Sequence, residues 1–498
     1  MISFIIALVA LLAGYFIYGR FVERVFGADD RPTPAYTKAD GVDFVALPAR
    51  KIFMIQFLNI AGTGPIFGAI MGAKFGPASY LWIVLGCIFA GAVHDYLSGM
   101  LSVRHGGAGL PDLVGHYLGK RTKMLMLNFS IILLLMVGAV FVFSPAKILG
   151  GIWEPQFMVH TLGRYSFWII IIFLYYLVAT LLPIDKIIGR IYPVFAFALI
   201  FMALAMMVVL FSKFPDIPEV WEGLSKTEGG SLTTNPIFPC LFISIACGAI
   251  SGFHATQSPL MARCIKHEKQ GRPIFYGAMI TEGIVALIWA AVASYFFYGN
   301  PIPGYQTITG GSGVLGDVPS IVNLVCHDWL GVFGGILALL GVVAAPITSG
   351  DTALRSARLI IADFAHLDQK PIRKRLYICI PMFAAVFALL MWEMKDANGF
   401  ERIWSWFGWA NQTLSVFTLW ALTVYLAREH KLFWITLIPA VFMTCVCTTF
   451  LMYSPIAVHL SLTAARIIGC AAAALSIVLF SIWYKKKILK SRKLKQAI

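Results

Sequence analysis

Charged residues are scarce in this chain. Only 13% of its 498 residues are Asp, Glu, Lys or Arg, whereas 59% are hydrophobic, and the mean hydropathy is +0.80. Soluble domains carry about 25% charged residues, so a water-soluble fold would lack the polar surface to cover this core. The composition excludes a set of globular domains and predicts a chain that lies largely within a lipid bilayer.

Motifs of common enzyme, metal and nucleic-acid classes are also lacking. The sequence has no His-Glu-x-x-His, no Gly-x-Ser-x-Gly and no phosphate-binding loop, which argues against an enzyme. Its nine cysteines are scattered without the paired spacing of a metal or redox site. The net charge of +15 comes from short loops and the C-terminus, so nucleic acid is not an expected partner. We expect no enzyme activity, no bound metal and no other cofactor.

The N-terminal segment lacks the features of a cleaved leader. Residues 1–19 have neither a basic start nor a cleavage site of small residues, and Arg20 and Arg24 follow directly. We interpret this segment as a retained first membrane helix with its basic flank in the cytoplasm.

Long apolar runs stand where charge is missing. About thirteen runs approach the length that crosses a bilayer as a helix, which predicts an all-α, polytopic membrane protein. Of the 39 Lys and Arg residues, 31 lie in seven segments outside these runs, namely 20–51, 104–123, 184–190, 263–272, 355–375, 428–431 and 485–498. Because basic loops stay in the cytoplasm, we predict an outside N-terminus and an inside C-terminus in a bacterial inner membrane.

The second predicted span is interrupted by residues that weaken a helix. Gly62 and Gly64 are poor helix formers, and Pro65 removes a backbone donor and disfavours helical geometry at the residue before it. The interruption lies about 15 Å into the span, where free backbone groups are tolerated only beside a protein cavity. The predicted substrate contacts here are Asn59, Gly62, Thr63 and Gly64.

The seventh predicted span has a second interruption, between Ser251 and Pro259. Five spans separate the two, so they enter the membrane from opposite faces. Paired interruptions in two inverted halves point to the substrate site of a transporter. The alternative is that glycine and proline make kinks and close packing contacts, as they often do in membrane helices. The predicted substrate contacts here are Gly252, His254, Thr256 and Gln257.

The ends of an interrupted helix predict what binds there. Amides that begin the second half carry a partial positive charge suited to a carboxylate. Carbonyls that end the first half, including that of Ala61, can hold a cation. We therefore expect a small anionic or zwitterionic substrate, with either H⁺ or Na⁺ as the coupling ion.

Ionisable residues inside apolar runs are candidates for coupling. His94 and Asp95 in the third span and Glu282 in the eighth are costly to bury, so we predict that they carry a proton. The alternative for Asp95 is a structural hydrogen bond to an interrupted helix.

The ninth span offers hydroxyl and carboxylate oxygens of the kind that small cations prefer. A salt bridge from Asp351 to Arg355, four residues on, is the competing interpretation. The predicted cation ligands are Thr348, Ser349, Asp351 and Thr352.

Taken in order, these motifs resemble the carbon starvation protein A family. The resemblance covers roughly residues 1–450 and is carried by Asn59 to Gly68, His94-Asp95, Gly252 to Pro259 and Thr348 to Arg358. That family resembles the amino-acid–polyamine–organocation superfamily, which implies a core of two inverted five-helix repeats with two discontinuous helices. The repeats would be residues 52–212 and 237–427, preceded by an extra helix and connector in 1–51 and followed by two helices and a basic cytoplasmic tail in 432–498.

The resemblance also implies a function, namely import of peptides or amino-acid-like nutrients during carbon starvation. Proton-coupled symport of pyruvate or another monocarboxylate is the alternative within transport. A membrane sensor or intramembrane metal-dependent enzyme using His94, Asp95 and His254 is the alternative from another class. The expected partners are a small-molecule substrate and membrane lipid, and the oligomeric state stays open. Many members of that family carry further C-terminal spans and are longer than this sequence.

Overall fold

The computed structural model describes residues 1–41, 43–181, 184–224, 236–298, 318–367, 371–395 and 399–489. Every regular element in those ranges is a helix, which agrees with the predicted all-α class. Eight helices there are long and apolar enough to cross a membrane, or up to ten if each of two bent pairs is one span. The membrane class is therefore confirmed, whereas the count of thirteen and the orientation stay predictions.

The helices of the N-terminal half follow the apolar runs, because a backbone in lipid must satisfy its own hydrogen bonds. In chain order they are α1 (Ile2–Phe16), α2 (Tyr18–Phe26), α3 (Pro34–Thr37), α4 (Ala49–Ile60), α5 (Gly64–Ala73), α6 (Ala78–Gly86), α7 (Ala92–Arg104), α8 (Leu110–Leu118), α9 (Lys120–Ile152), α10 (Gln156–Leu162), α11 (Ser166–Leu181) and α12 (Ile184–Lys213).

The C-terminal half contains a helix, Val318–Phe364, that is kinked at Gly331. In order its helices are α13 (Phe242–Ser244), α14 (Gly252–Ala262), α15 (Gly277–Tyr298), α16 (Val318–Phe364), α17 (Ile372–Lys395), α18 (Gly399–Arg428), α19 (Trp434–Tyr453) and α20 (Leu462–Tyr484). The long α16 packs along α9 and α12, and α14 packs against α4, α7 and α18. The short α14 is thus enclosed by longer helices.

The first predicted interruption falls between α4 and α5. The two helices are separated by three residues, and their axes differ by 47°. Thr63 precedes the first turn of α5 and Pro65 lies within that turn, where its missing N–H has no intrahelical role.

The second predicted interruption is displaced from its expected place. We expected the break within Ser251–Pro259, but Gly252–Ala262 forms the continuous helix α14 with Pro259 inside it. The non-helical segment is the one before it, residues 245–251. The predicted place was wrong, because the stretch that contains Gly252, the polar residues and Pro259 is helical, whereas the chain leaves helical geometry from Ile245 to Ser251.

Candidate functional site

His254 lies between two carboxylates that come from different helices. Its Nδ1 is 2.8 Å from Asp95 Oδ2, and its Nε2 is 3.4 Å from Glu282 Oε2. A second imidazole, His94, places its Nδ1 2.8 Å from Asp95 Oδ1. All four side chains have no solvent exposure. The structure therefore brings together four residues that the sequence predicted separately for the substrate and for the proton.

A close backbone contact brings Asp95 to this position. The helix from α6 to α7 passes through a π-helical turn at Cys87–Gly91, directly before the turn that carries Asp95. A Cβ on Gly91 would lie 2.2 Å from the carbonyl oxygen of Ala249 in the irregular segment. Only glycine allows this approach. The π-helical turn and Gly91 therefore place α7 in direct contact with the segment that precedes α14.

Side chains of other helices hold the irregular segment at residues 245–251. Asn411 Oδ1 accepts a hydrogen bond from the Phe253 amide at 2.7 Å and another from Ser251 Oγ at 3.0 Å. Trp82 Nε1 donates to the Ile245 carbonyl at 2.9 Å. These bonds satisfy backbone groups that a continuous helix would have paired, which is what such a break needs inside a membrane.

Three buried polar side chains surround the other interruption. The amide groups of Gln56 and Asn59 and the hydroxyl of Thr63 have no hydrogen-bond partner among the described residues. Each of the three side chains is fully buried. Gln56 and Asn59 lie three residues apart on one face of α4, and Thr63 follows in the non-helical turn. Buried polar groups are nearly always paired, so a group of three without partners indicates a place for a polar ligand.

The two interruptions touch each other. A Cβ on Gly64 would lie 2.3 Å from Cys247 Sγ, and one on Gly62 would lie 2.7 Å from the ring of Phe141. The start of α5 therefore packs directly against residues 245–251, with no room for a side chain between them.

The other two predicted substrate residues on α14 face α16. Thr256 Oγ1 donates to the Phe253 carbonyl at 2.7 Å, and Gln257 Nε2 donates to Thr256 Oγ1 at 2.8 Å. Ser356 of α16 donates to Gln257 Oε1 at 3.4 Å. Gly252 packs instead against α18, since its Cβ would meet the Ser415 amide nitrogen at 2.3 Å.

The predicted cation ligands of the ninth span contact the end of α4. Ser349 Oγ donates to the Leu58 carbonyl at 2.6 Å. Hydroxyls of Thr348 and Thr352 donate to carbonyls of their own helix, at 2.8 to 3.2 Å. Ala61, the predicted carbonyl ligand, lies between this point and Gly62 in the non-helical turn.

Asp351 and Arg355 of α16 are both buried. An Arg355 Nη2 lies 4.0 Å from Asp351 Oδ1 and donates to the Ala179 carbonyl of α11 at 2.7 Å. The position of this arginine favours the salt-bridge interpretation of Asp351, because a charge four residues away already compensates the carboxylate.

Sequence reasoning missed Gln56 and Cys247. Gln56 carried a usable signal, since it lies one helical turn before Asn59. Cys247 was taken for a small apolar residue, yet its ligand atom and those of His254 and Glu282 lie within 4.8 Å of one another. A transition metal such as Zn²⁺ accepts this donor set. However, the Cys247 thiol already accepts a hydrogen bond from Asn411 Nδ2 at 3.5 Å.

Comparison with known proteins gives consistent matches along the chain. A model of the family described as "Carbon starvation protein CstA" matches residues 1–152, 142–300 and 318–450. The peptide transporter CstA of Bacillus subtilis is 28% identical over 510 aligned residues, covering 83% of each chain. The Escherichia coli peptide transporter CstA is 23% identical, covering 88% of this chain and 78% of its own. A membrane protein of Haemophilus influenzae is 46% identical, covering 63% of this chain and 96% of its own.

A solved structure shares the fold. The manganese transporter of Eremococcus coleocola, in complex with an aromatic bis-isothiourea substituted compound, superimposes with a TM-score of 0.53. The match covers 91% of this chain and 99% of that one at 13% identity. At this identity the likeness concerns the arrangement of helices alone.

Proposed function

The chain belongs to the carbon starvation protein CstA family, and on that premise we propose that it imports peptides or amino-acid-like nutrients during carbon starvation, driven by protons. Relatives that share this family are named peptide transporters, so this chain is a membrane transporter and not an enzyme. Its place would be the bacterial inner membrane, with the N-terminus outside.

One observation carries this proposal, namely that unpaired polar groups line one interruption while buried acids and imidazoles meet at the other. Gln56, Asn59 and Thr63 lack partners among the described residues. Asp95, His254 and Glu282 form a chain of titratable groups in the same region of the fold. Gly64 and Cys247 join the two regions by direct contact. A solute bound at the first would therefore be coupled through packed atoms to protonation at the second.

The substrate would bind by its carboxylate at the start of α5. The helix begins at Gly64 with no side-chain cap. Pro65 has no amide hydrogen, and the amides of Ile66 and Phe67 donate to the Thr63 carbonyl, so the Gly64 amide is the donor that this turn would offer to an anion. Thr63 and Asn59 would contribute hydrogen bonds from their unpaired side chains. On the other wall, α14 would present His254, Thr256 and Gln257 to the amino-acid-like part of the solute.

We propose the proton rather than Na⁺ as the coupling ion. The oxygens predicted to bind Na⁺ are engaged, since Ser349 donates to Leu58 and Asp351 lies beside Arg355. The cluster at His254, by contrast, contains two imidazoles and two carboxylates with no exposed atom. Such groups exchange protons at physiological pH when the surroundings change.

The arrangement of the core would follow two inverted repeats, residues 52–212 and 237–427. The helix pairs α4–α5 and α13–α14 are interrupted at corresponding points of these ranges. Discontinuous helices with a site at mid-membrane are typical of transporters built this way. During transport, the two half-helices of each pair would tilt against each other around the bound solute.

Uptake by proteoliposomes tests the substrate. Labelled dipeptide and labelled pyruvate are supplied under an inward proton gradient, each in competition with the other. We expect uphill accumulation of the dipeptide with little competition by pyruvate. Accumulation of pyruvate alone would show that the substrate is a monocarboxylate. If neither solute accumulates, both substrate hypotheses are wrong.

Replacement of Asp95 tests the coupling. In Asp95→Asn we expect accumulation to be lost while exchange of internal for external solute continues. Ser98→Ala is the matched control, because Ser98 is buried one turn away and donates only to the Asp95 carbonyl. Unchanged uphill uptake in Asp95→Asn would exclude this carboxylate from coupling. Stoichiometric zinc in the purified protein, lost in Cys247→Ala, would instead favour a metal site.

A further inference from the structure

An aromatic groove lies on the outside of the helix bundle, away from the candidate site. Its volume is about 680 Å³, and it runs between α8, the start of α9, the end of α18 and α20. We call it the aromatic groove and define it by Tyr117, Phe417, Trp420, Leu479, Phe480 and Trp483, which line it together with smaller residues.

The groove borders the lipid-facing side of the protein. Leu479 of its wall is 58% exposed, and so are neighbouring apolar residues of α20, such as Leu475 and Val478. Exposed apolar side chains on a membrane helix face acyl chains. The groove is therefore bordered by hydrocarbon along its length, and its own apolar lining suits a chain of methylene groups.

Positive charge is concentrated at one end of the groove. Arg428 lines that end, and the exposed Lys120 and Arg121 flank the lining residues Gly119 and Thr122. The Arg428 guanidinium lies 5.4 Å from the Tyr117 ring and 6.0 Å from the Trp483 ring. Glu429 next to it offsets part of this charge.

The charged end lies where the sequence predicts the cytoplasmic membrane surface. Segments 104–123 and 428–431 are both predicted inside loops, and the lysines from Lys485 to Lys487 follow Trp483 by up to one helical turn. Basic pockets between membrane helices at this surface suit the headgroups of anionic lipids. An aromatic-lined groove that ends in a cluster of basic side chains matches a molecule with an apolar tail and an acidic head.

We propose that the aromatic groove binds one anionic phospholipid, with an acyl chain along Trp420 and Phe480 and its phosphate beside Arg428. The Arg428 guanidinium forms a charge-assisted pair with the phosphate. The Tyr117 and Trp483 rings beside it keep the guanidinium oriented toward the headgroup. The lipid fills the space between α20 and the rest of the bundle and so fixes α20 against α18.

Lipid analysis of the purified full-length protein tests this site. The protein is reconstituted in nanodiscs of equal parts phosphatidylglycerol and phosphatidylethanolamine, extracted, and the co-purified lipids are quantified. We expect enrichment of phosphatidylglycerol over phosphatidylethanolamine, reduced about fivefold in Arg428→Gln, since a basic residue near the membrane surface contributes about 1 kcal/mol. Arg373→Gln is the control, because Arg373 is exposed at the start of α17 and does not line the groove.

A second variant blocks the tail rather than the head. Ser476→Trp fills the groove without changing charge, and Ser476 now donates only to a carbonyl of its own helix. We expect it to lower lipid retention as much as Arg428→Gln does. Equal retention of both lipids by the unaltered protein, or equal losses in Arg373→Gln and Arg428→Gln, would overturn the proposal. Equal thermal stabilisation by soluble glycerol phosphate would overturn it too, by showing that no acyl chain is needed.

Discussion

His254 lies between Asp95 and Glu282, with one ring nitrogen near each carboxylate. Both carboxylates are buried, and an isolated buried charge is unfavourable by several kcal/mol unless another group compensates it. A single imidazolium cannot neutralise two carboxylates at once. The cluster therefore holds its charges in balance only when a further proton is present, which is the property that proton coupling needs.

Replacing Glu282 tests whether the whole cluster carries the proton. In Glu282→Gln the cluster keeps Asp95 as its one carboxylate beside His94 and His254, so one of the groups that carry the proton is lost. We expect uphill uptake to fall to the equilibrium level and to lose its dependence on external pH. Thr281→Val is the control, because Thr281 Oγ1 donates only to the Gly277 carbonyl of its own helix. A pH profile that stays the same in Glu282→Gln would place coupling elsewhere.

Gly64 tests the contact between the two interruptions. In Gly64→Ala the added carbon overlaps Cys247, and overpacking of this kind costs about 1–3 kcal/mol. We expect a lower thermal unfolding temperature in detergent and weaker uptake. Gly109→Ala is the control, since its Cβ would meet nothing closer than 3.8 Å and its φ is −69°.

The double variant Gly64→Ala/Cys247→Gly distinguishes overlap from a backbone effect. Removing the Cys247 side chain vacates the space that the new methyl group needs. We expect the unfolding temperature to recover part of the loss, as coupled neighbours do in a double-mutant cycle. Additive losses would show that the two residues are not in contact.

The ionisable part of the site was predictable residue by residue, and the rest was not. His94, Asp95, His254 and Glu282 stand out in the sequence because each is costly inside an apolar run. Cys247 does not, since a buried cysteine is an ordinary apolar residue in most proteins. Its role arises from the fold, which places residues 245–251 against Gly64.

At the scale of elements, α14 begins where it does because another helix caps it. Asn411 of α18 accepts the Phe253 amide and the Ser251 hydroxyl. Local sequence contains Gly252 and Pro259 but not this partner, which lies 158 residues away from Phe253. For that reason the existence of an interruption was predictable here, whereas its position was not.

Asn411→Leu tests that cap. It leaves a buried amide and a hydroxyl without an acceptor, which costs about 1–3 kcal/mol. We expect a lower unfolding temperature and loss of uptake, with partial recovery in Asn411→Asp, which keeps an acceptor oxygen. Thr413→Val is the control, because Thr413 donates only to the Trp409 carbonyl of its own helix. Equal stability of Asn411→Leu and Thr413→Val would show that the cap is dispensable.

A second group of contacts closes the predicted cytoplasmic side. Glu268, fully buried in the loop after α14, accepts two hydrogen bonds from Arg104 of α7, each 3.1 Å long. Arg104 also donates to the Gly27 carbonyl at 2.6 Å and to the Tyr425 hydroxyl at 3.2 Å. One arginine thus joins α2, α7, α18 and the loop after α14.

Glu268→Gln is expected to loosen this closure. Burial raises the pKa of the nearby Cys264 thiol to about 11, so the closed form reacts slowly with maleimide. In a variant with Cys264 as its sole cysteine, Glu268→Gln should raise the labelling rate about tenfold, because a hydrogen bond to a charged group contributes about 1.5–3 kcal/mol. Below pH 11 the rate of Cys264 labelling rises with pH. Glu268→Gln should reach a given rate at a lower pH than the protein that keeps Glu268.

Lys269→Gln is the matched control for that experiment. Lys269 lies next to Glu268 in the same loop, but its ion pair with Asp30 is exposed, with 63% and 75% of the two side chains accessible. Exposed pairs contribute little to stability. Labelling of Cys264 should therefore stay unchanged, and a rise as large as that of Glu268→Gln would mean that closure does not depend on Arg104.

At the scale of the whole molecule, the class of protein follows from composition alone. Scarce charge and long apolar runs leave a helical membrane protein as the remaining solution. The number of spans is harder to predict, since α4, α5 and α14 are shorter than a membrane crossing, whereas α16 is 47 residues long. Interrupted and overlong helices do not correspond one to one with apolar runs.

Reporter fusions test the predicted orientation. Because basic residues concentrate in the predicted inside loops, a fluorescent protein fused after His430 should fold in the cytoplasm, and alkaline phosphatase fused there should be inactive. Fusions after His459, between α19 and α20, should behave oppositely. The reverse pattern would place the N-terminus inside and invert every assignment of cytoplasmic and external loops.

The bond from Ser349 to the Leu58 carbonyl belongs to a pair of contacts that connects α4, α16 and α11. It connects α16 to the end of α4. Further along α16, Arg355 donates a hydrogen bond to the Ala179 carbonyl of α11. When α4 moves, either α16 moves with it or the bond from Ser349 to Leu58 breaks. The bond from Arg355 to Ala179 connects α16 to α11 in the same way. Displacing the end of α4 therefore strains its bond to α16, and the part of α16 that follows the kink at Gly331 transmits that strain to α11.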